Sequence, residues 1–376
     1  MAQLLKALLS VSEKSANIAR LWRQEETLFQ MLIEEKTGMD KNKKFVQDFK
    51  TLADVLIQEV IKHDVGQKFP ELKSYIGGEE SNKFENGLGE TIIVEVCKTK
   101  QETAGLLYHI LDHSEVAAQL LADVIHQDVV IEDAAAETVT VNIATEAMGI
   151  WIDPIDSTNQ YIKGKTDVIP IDGIYPYGLK SALVLIGVYD RNTGDPVIGI
   201  INEPFYQQDC KTLQWRGHYY WGISYNGTNI SSVPRPEPQP SISVVLSSSE
   251  NENTKQSLSC LCGRKMYYAC GAGYKFLCLL TGHVDTYVFS EDTTFKWDSC
   301  APHAILKALG GGILDLAGSL KTKGKQHAEL PELKYNKPIQ GAMGANQWAN
   351  QGGLIAFVYR SHAEVILNVL DQVSIN

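Results

Sequence analysis

Ten residues, Gly149-Ile150-Trp151-Ile152-Asp153-Pro154-Ile155-Asp156-Ser157-Thr158, constrain this chain more than any other feature of it. A short apolar strand there delivers two carboxylates and two hydroxyls to the mouth of a helix. Pro154 fixes its own φ and keeps Asp153 extended, so both carboxylates and the Ile155 carbonyl can converge on hard cations. Ser157 and Thr158 then fall in the first turn of the following helix, where unpaired N–H groups and the positive end of the macrodipole favour an anion. Taken alone, the same string reads equally well as a turn with a helix cap.

Three other acidic stretches bear on the choice. Trp297-Asp298 follows the strand-like Thr286-Tyr287-Val288-Phe289 and precedes Ala301, Ala304, Ile305, Ala308 and Leu309, the stripe of a buried helix that stops at Gly310-Gly311-Gly312. Asp298 thus stands at a second strand-to-helix junction, where in isolation it would be read as a cap. In Ile76-Gly77-Gly78-Glu79-Glu80-Ser81, two glycines let the backbone turn sharply and aim one carboxylate inward, although a surface acidic turn is the plainer reading. Asp54 sits in a helical pattern among Leu52, Ala53, Val55 and Leu56, where an acid is more often solvated than functional.

The remaining pattern is α/β. Amphipathic helices are expected near 2–35 and 44–63, strands at 91–96, 149–152, 181–189 and 197–201, and a helix over 101–126. Asn226-Gly227 reads as a hairpin turn. Residues 232–240 alternate four prolines with polar residues, so an extended connection is expected there, dividing an N-terminal part (1–235) from a C-terminal one (241–376). Beyond it come a strand at 241–246, a helix from about Ser249, the turn Gly271-Ala272-Gly273 opening another helix, and a final strand at 353–359. Ser361 and Glu364 have the spacing of a capping box for the last helix.

Composition excludes several classes. A net charge of −11 leaves no basic excess to displace counterions from a nucleic acid. No apolar run approaches the roughly 18–20 residues of a membrane span. Residues 1–30 interleave leucines with charges, unlike a signal peptide. Seven cysteines lack any C-x-x-C spacing, which argues against zinc or a disulfide framework and for a reduced, cytoplasmic chain.

The four acidic elements, in this order and over most of the chain, resemble the magnesium-dependent, lithium-sensitive phosphatase superfamily that contains inositol monophosphatase, fructose bisphosphatase and the 3'-nucleotide phosphatases. Within it, Asp153-Pro-Ile-Asp-Ser-Thr, Ser290 to Cys300, and Gly271-Ala272-Gly273-Tyr274-Lys275 are similar to the branch acting on inositol polyphosphates. The resemblance implies an alternating α/β/α/β/α sandwich and a phosphomonoesterase that removes the 1-phosphate of inositol 1,4-bisphosphate and inositol 1,3,4-trisphosphate by metal-activated water. It implies two or three Mg²⁺ ions: one held by Glu79, Asp153 and the Ile155 carbonyl, another by Asp153, Asp156 and Asp298, and a weaker third bordered by Asp54. Thr158 and Glu79 would accept hydrogen bonds from the attacking water, Glu80 would lie behind them, and Li⁺ would inhibit. A small inositol polyphosphate would be met by Asp156, Ser157, Thr158, Ser249, Gly271, Ala272, Lys275, Thr293 and Asp298, with no nucleic acid or membrane partner and a monomeric chain.

Three positions depart from the family pattern: Asn159 for tyrosine, Asn251 for a lysine, and Pro302 for alanine. Asn251 removes a cation, and Lys255 lies one helical turn further on. Pro302 is tolerable if it falls in the first turn of its helix. Two alternatives stand beside the leading reading: a 3'(2'),5'-bisphosphate nucleotidase of the same superfamily, and a catalytically silent inositol phosphate binder. The latter has no use for the full set Glu79, Asp153, Asp156, Thr158 and Asp298.

Overall fold

Apolar residues along each strand alternate between two faces, and that alternation builds the layers. A computed structural model describes residues 3–25, 32–42, 48–85, 89–323 and 329–371. In it, Ile150 and Ile152 of the strand Met148–Asp156 join one core and Trp151 joins another. Val184, Ile186 and Val188 in the next strand follow the isoleucines, while Leu183, Leu185 and Tyr189 follow the tryptophan. The first core lies beneath the helices Gln3–Gln24 and Leu52–Lys68. The second fills the space between two sheets around the helices Ala272–Leu280 and Lys296–Ala308. A third lies outside the second sheet, under Glu252–Cys262 and Arg360–Asp371. The stack is the α/β/α/β/α sandwich expected from the sequence.

The six-stranded sheet runs Thr228–Ser231, Trp215–Tyr225, Pro196–Gln208, Leu183–Asp190, Met148–Asp156 and Ile76–Gly78, antiparallel except for the last, parallel pair. The five-stranded sheet runs Met266–Tyr268, Val244–Leu246, Thr286–Phe289, Leu354–Phe357 and Gly312–Asp315, parallel across the first three strands and antiparallel after them. The chain passes from one sheet to the other through residues 232–240, which form no helix or strand.

A row of glycines sets how closely the middle layer approaches the first sheet. Gly187 pairs with Gly199, and Gly199 with Gly222, across three adjacent strands. A Cβ on Gly187 would lie 2.5 Å from the Ala301 nitrogen, on Gly199 1.9 Å from the Ala301 oxygen, and on Gly222 2.8 Å from the Ile305 Cα. The obstacle in each case is backbone of the helix Lys296–Ala308, which cannot swing aside as a side chain can. The groove therefore fixes the helix that carries Asp298.

Several expected elements differ. The first helix ends at Gln24, and Ile33–Glu35 is a strand paired with Phe49–Thr51. The second helix starts at Leu52, not 44, because Thr51 caps it; residues 43–47 lie outside the described residues. Thr91–Ile93 pairs only with Lys83–Glu85 in a separate two-stranded ribbon. Ile93 is 47% exposed, so this β-branched run covers surface instead of joining the core. The helix expected over 101–126 breaks into Lys100–Ile110 and Glu115–His126 at Asp112 and His113, both at positive φ. The last helix begins at Arg360, which places Ser361 inside it and not at its cap. Pro302 is the seventh residue of its helix, beyond the first turn, so it withholds an N–H from the Asp298 carbonyl at a buried position. The Asn226-Gly227 hairpin forms with both residues at positive φ, as a type I′ turn requires.

Candidate metal and phosphate site

The strand Met148–Asp156 loses register with its neighbour between Asp153 and Asp156, and that irregularity lets two carboxylates of one strand face one pocket. Asp298 arrives from the N-terminal turn of the glycine-seated helix. Its position is fixed by Trp297, packed between Trp151 (6.0 Å between ring centroids) and Phe295 (4.7 Å, stacked), and by the Phe295 N–H, which donates to Asp298 Oδ2 at 2.6 Å. Asp298 is thus the third residue of its helix and not the N-cap, which is Phe295, although its carboxylate accepts the N-cap N–H as in a capping box. One ligand atom from each of Asp153, Asp156 and Asp298 lies within 4.8 Å of the others, and all three side chains are buried. Asp153 Oδ1 has no hydrogen-bond partner among the described residues. All-oxygen donors, buried and mutually repelling with one oxygen unpartnered, fit a hard divalent cation.

Burial and crowding raise all three acids. Asp153 is held well above the ordinary carboxylate range by desolvation and by Glu79, Asp156 and Asp298. Asp298 is pushed up to about 8 by desolvation, then Asp156 and Glu79, and Asp156 to about 6 by desolvation, offset by Lys275. Without metal the folded cluster therefore keeps protons that the unfolded chain releases above about pH 4. Linkage makes its contribution to stability fall as pH rises from there through the Asp298 value of about 8. The melting temperature of EDTA-treated protein is expected to drop between about pH 6 and pH 8, and the drop to shrink in Asp298→Asn. A drop of equal size in that variant would remove the cluster as its source.

Around the cluster lies a cavity of about 350 Å³, lined by residues that include Glu79, Ile155, Ser157, Thr158, Ser249, Gly271, Ala272, Lys275 and Thr293. Asp156 Oδ2 accepts the Gly273 N–H at 2.9 Å, so this acid also caps the helix Ala272–Leu280. Gly271 has φ +80, and a Cβ there would lie 2.4 Å from Ser157 Oγ. Ser157 is itself left-handed, with φ 71 and ψ 43, and stands just before the six-residue helix Thr158–Lys163 instead of inside it. The hydroxyls of Ser157 and Thr293 are both buried without a partner among the described residues. Asn251 caps the helix Glu252–Cys262, its side chain accepting the Asn253 N–H, so the asparagine has a local structural reason.

Thr158 Oγ1 lies 3.1 Å from the Ile155 carbonyl and 3.3 Å from Asp54 Oδ1. Asp54 is not on a solvated face: it is 1% exposed, with Oδ2 accepting from the Thr51 N–H and hydroxyl. Burial pushes it up to about 6 despite those bonds. Glu79 lines the cavity but stands apart from the three-aspartate set, its Oε1 2.6 Å from Lys36 Nζ. Lys36 also meets Glu80 at 2.5 Å. Burial alone would lower the Lys36 ammonium, but Glu79, Glu80 and Asp48 outweigh it and hold it well above its usual value. Glu80 is lifted to about 8 by burial, against the pull of Lys36. Gly77 and Gly78 do not make a sharp turn. They extend the strand Ile76–Gly78, where a Cβ on Gly77 would lie 2.6 Å from the Trp151 ring and one on Gly78 2.0 Å from Gln58 Oε1. Gln58 holds the Glu80 backbone at both its N–H and its carbonyl. Lys36, Thr51 and Gln58 were missed in the sequence. Gln58, a polar residue inside an apolar helical run, and Thr51, three residues before Asp54 in capping-box spacing, left a trace there; Lys36 left none.

Residues 4–363 match the inositol monophosphatase family. The chain is 51% identical to inositol polyphosphate 1-phosphatase from Bos taurus, over 99% of this chain and 98% of that one. It is 25% identical to 3'(2'),5'-bisphosphate nucleotidase 1 from Mus musculus, over 98% and 96%. Among solved structures, an IMPase/NADP phosphatase complexed with Mg²⁺ and phosphate shares the fold, with a TM-score of 0.54 and 13% identity over 98% of this chain and 94% of that one. No helix among the described residues is long and apolar enough to cross a membrane.

Proposed function

The chain belongs to the inositol monophosphatase family, and from that premise we propose that this phosphomonoesterase removes the 1-phosphate of inositol 1,4-bisphosphate and inositol 1,3,4-trisphosphate in a Mg²⁺-dependent, Li⁺-inhibited reaction. The observation that carries it is the meeting of Asp153, Asp156 and Asp298 in one buried set beside Thr158, in a chain alike end to end with an inositol polyphosphate 1-phosphatase. Asp153, Asp156 and Asp298 would hold one or two ions, with Glu79 and the Ile155 carbonyl completing the shell. Bound there, Mg²⁺ supplies charge neutralisation for the phosphoryl oxygens and a water of lowered pKa.

The chain's own groups do the positioning. Asp54 accepts from the Thr158 hydroxyl and so leaves its oxygen able to accept from the attacking water. Lys36 pairs with Glu79 and fixes it at the pocket wall. The Gly271 and Ala272 backbone, Ser249, Lys275 and Thr293 line the cavity on the side left for the inositol ring and its further phosphate. Asp153 and Asp156 come from the N-terminal part and Asp298 from the C-terminal one, so the two parts act as one catalytic unit, in a chain proposed to be monomeric. Seven unpaired thiols support a reducing, cytoplasmic setting.

Thr158→Ala is expected to lower turnover on inositol 1,4-bisphosphate by about a hundredfold, with Thr158→Ser restoring most of it. Full activity in Thr158→Ala would remove the hydroxyl from the mechanism. The functional reading itself is tested by phosphate release from inositol 1,4-bisphosphate and from 3'-phosphoadenosine 5'-phosphate under the same Mg²⁺ concentration, then with Li⁺ added. Higher kcat/KM on the inositol substrate, with Li⁺ inhibition, is expected. Preference for the nucleotide would select the nucleotidase reading instead.

A further inference from the structure

Cations near the pocket are mostly committed. Lys275, 4% exposed, donates to the Gly271 carbonyl at 2.6 Å and the Ala269 carbonyl at 3.3 Å. Lys36 is taken by Glu79 and Glu80, and Lys296 donates to Asn350 Oδ1 at 3.1 Å inside the protein. Lys255 is placed differently. From the first turns of the helix Glu252–Cys262 it reaches back over Asn251 to the pocket rim, where Nζ donates to the Ser248 carbonyl at 2.9 Å. Ser247, Ser248 and Ser249 all line the cavity.

Its other contacts are weak: Nζ lies 5.9 Å from the centre of the Tyr268 ring, at the far edge of cation–π range. Nζ lies 2.8 Å from Glu252 Oε1, but the Glu252 side chain is 76% exposed, so solvent and salt screen that pair. An ammonium has three donors, and the two hydrogen bonds, to the Ser248 carbonyl and Glu252, leave one facing no oxygen acceptor among these contacts. The rim that anchors Lys255 is firm. Glu250, 2% exposed, accepts from the Asn251 N–H at 2.9 Å, the Ser290 N–H at 3.1 Å and the Ser290 hydroxyl, tying the serine segment to the end of the strand Thr286–Phe289.

We propose that Lys255 is a specificity-determining residue, a cation held at the Ser247–Ser249 rim that meets the second phosphate of a bisphosphorylated substrate while the first lies at the aspartate cluster. This rests on the inositol polyphosphate reading above. It gives the rim a positive charge where the cavity floor is acidic, and it assigns Glu252 the part of a competitor that the phosphate must displace.

KM and kcat are measured for inositol 1,4-bisphosphate and inositol 1-phosphate in the parent, Lys255→Ala, Lys255→Arg and Glu252→Gln. In Lys255→Ala the ratio of the bisphosphate KM to the monophosphate KM is expected to rise about tenfold, the loss of one charge-assisted hydrogen bond. Lys255→Arg should restore most of it, and Glu252→Gln should move the ratio the other way. Equal changes for both substrates, or none, would overturn the role of Lys255. A parent enzyme that turns over neither inositol substrate would overturn the functional reading and this proposal with it, a result separable from the variant comparison.

Discussion

Asp153→Asn is expected to lower phosphate release by about a thousandfold while leaving the metal-free protein as stable as its parent or more so. The activity loss follows because Asp153 is the member of the set nearest to all the others electrostatically: Glu79, Asp156 and Asp298 each raise it. Its Oδ1 is buried with no hydrogen-bond partner among the described residues, so an oxygen is left for a cation. The stability result follows from the same crowding. Asp153 and Asp298 have carboxylate oxygens within 4.8 Å of each other in a buried pocket, so the metal-free pair is held together best when it carries a proton. An asparagine in place of Asp153 needs no proton and cannot add a like charge to the pocket as pH rises. Denaturant midpoints in EDTA, beside initial rates with Mg²⁺, test both halves. A variant that is both unstable and active would reverse the account.

Gly199→Ala carries the largest expected cost to the fold. Its Cβ would fall 1.9 Å from the Ala301 oxygen, so the helix Lys296–Ala308 must lift from the sheet or the strand must bend. Overpacking of this kind costs about 3 kcal/mol. Lifting the helix also withdraws Asp298 from Asp153 and Asp156, so Mg²⁺ affinity should weaken along with stability. Urea midpoints and Mg²⁺ titration on the folded variant measure the two effects. A midpoint equal to the parent's would show that the groove is not rigid.

What could be seen in the sequence was whatever chemistry is carried by adjacent residues. Asp153, Asp156 and Thr158 are legible because a strand, a proline and a helix start lie within a few positions, and Asp298 because its strand and helix flank it. Lys36 was not legible, whereas Thr51 could have been read from its capping-box spacing with Asp54. Lys36 acts through a fold-back of the segment 32–42 onto Glu79, and no local pattern predicts that fold-back. For Asp54 the apolar neighbours left the plainer solvated reading beside the resemblance that puts it at a third ion, because an amphipathic pattern does not show that the helix is buried nearly all round there. Gly187, Gly199 and Gly222 become a groove only after three strands pair in one register, which spacing along the chain does not reveal. Thr91–Ile93 misled for the opposite reason: β-branched composition favours a strand but does not say which sheet takes it.

The central claim is that three acids distant in sequence make one cation site. Isothermal titration of Mg²⁺ into the parent, Asp153→Asn and Asp298→Asn, each in two buffers of different ionisation enthalpy, tests it most directly. Binding to the parent with release of protons is expected, since the cluster must surrender those it holds, along with much weaker binding to both variants. Parent-like Mg²⁺ affinity in either variant, or binding without proton release, would contradict it.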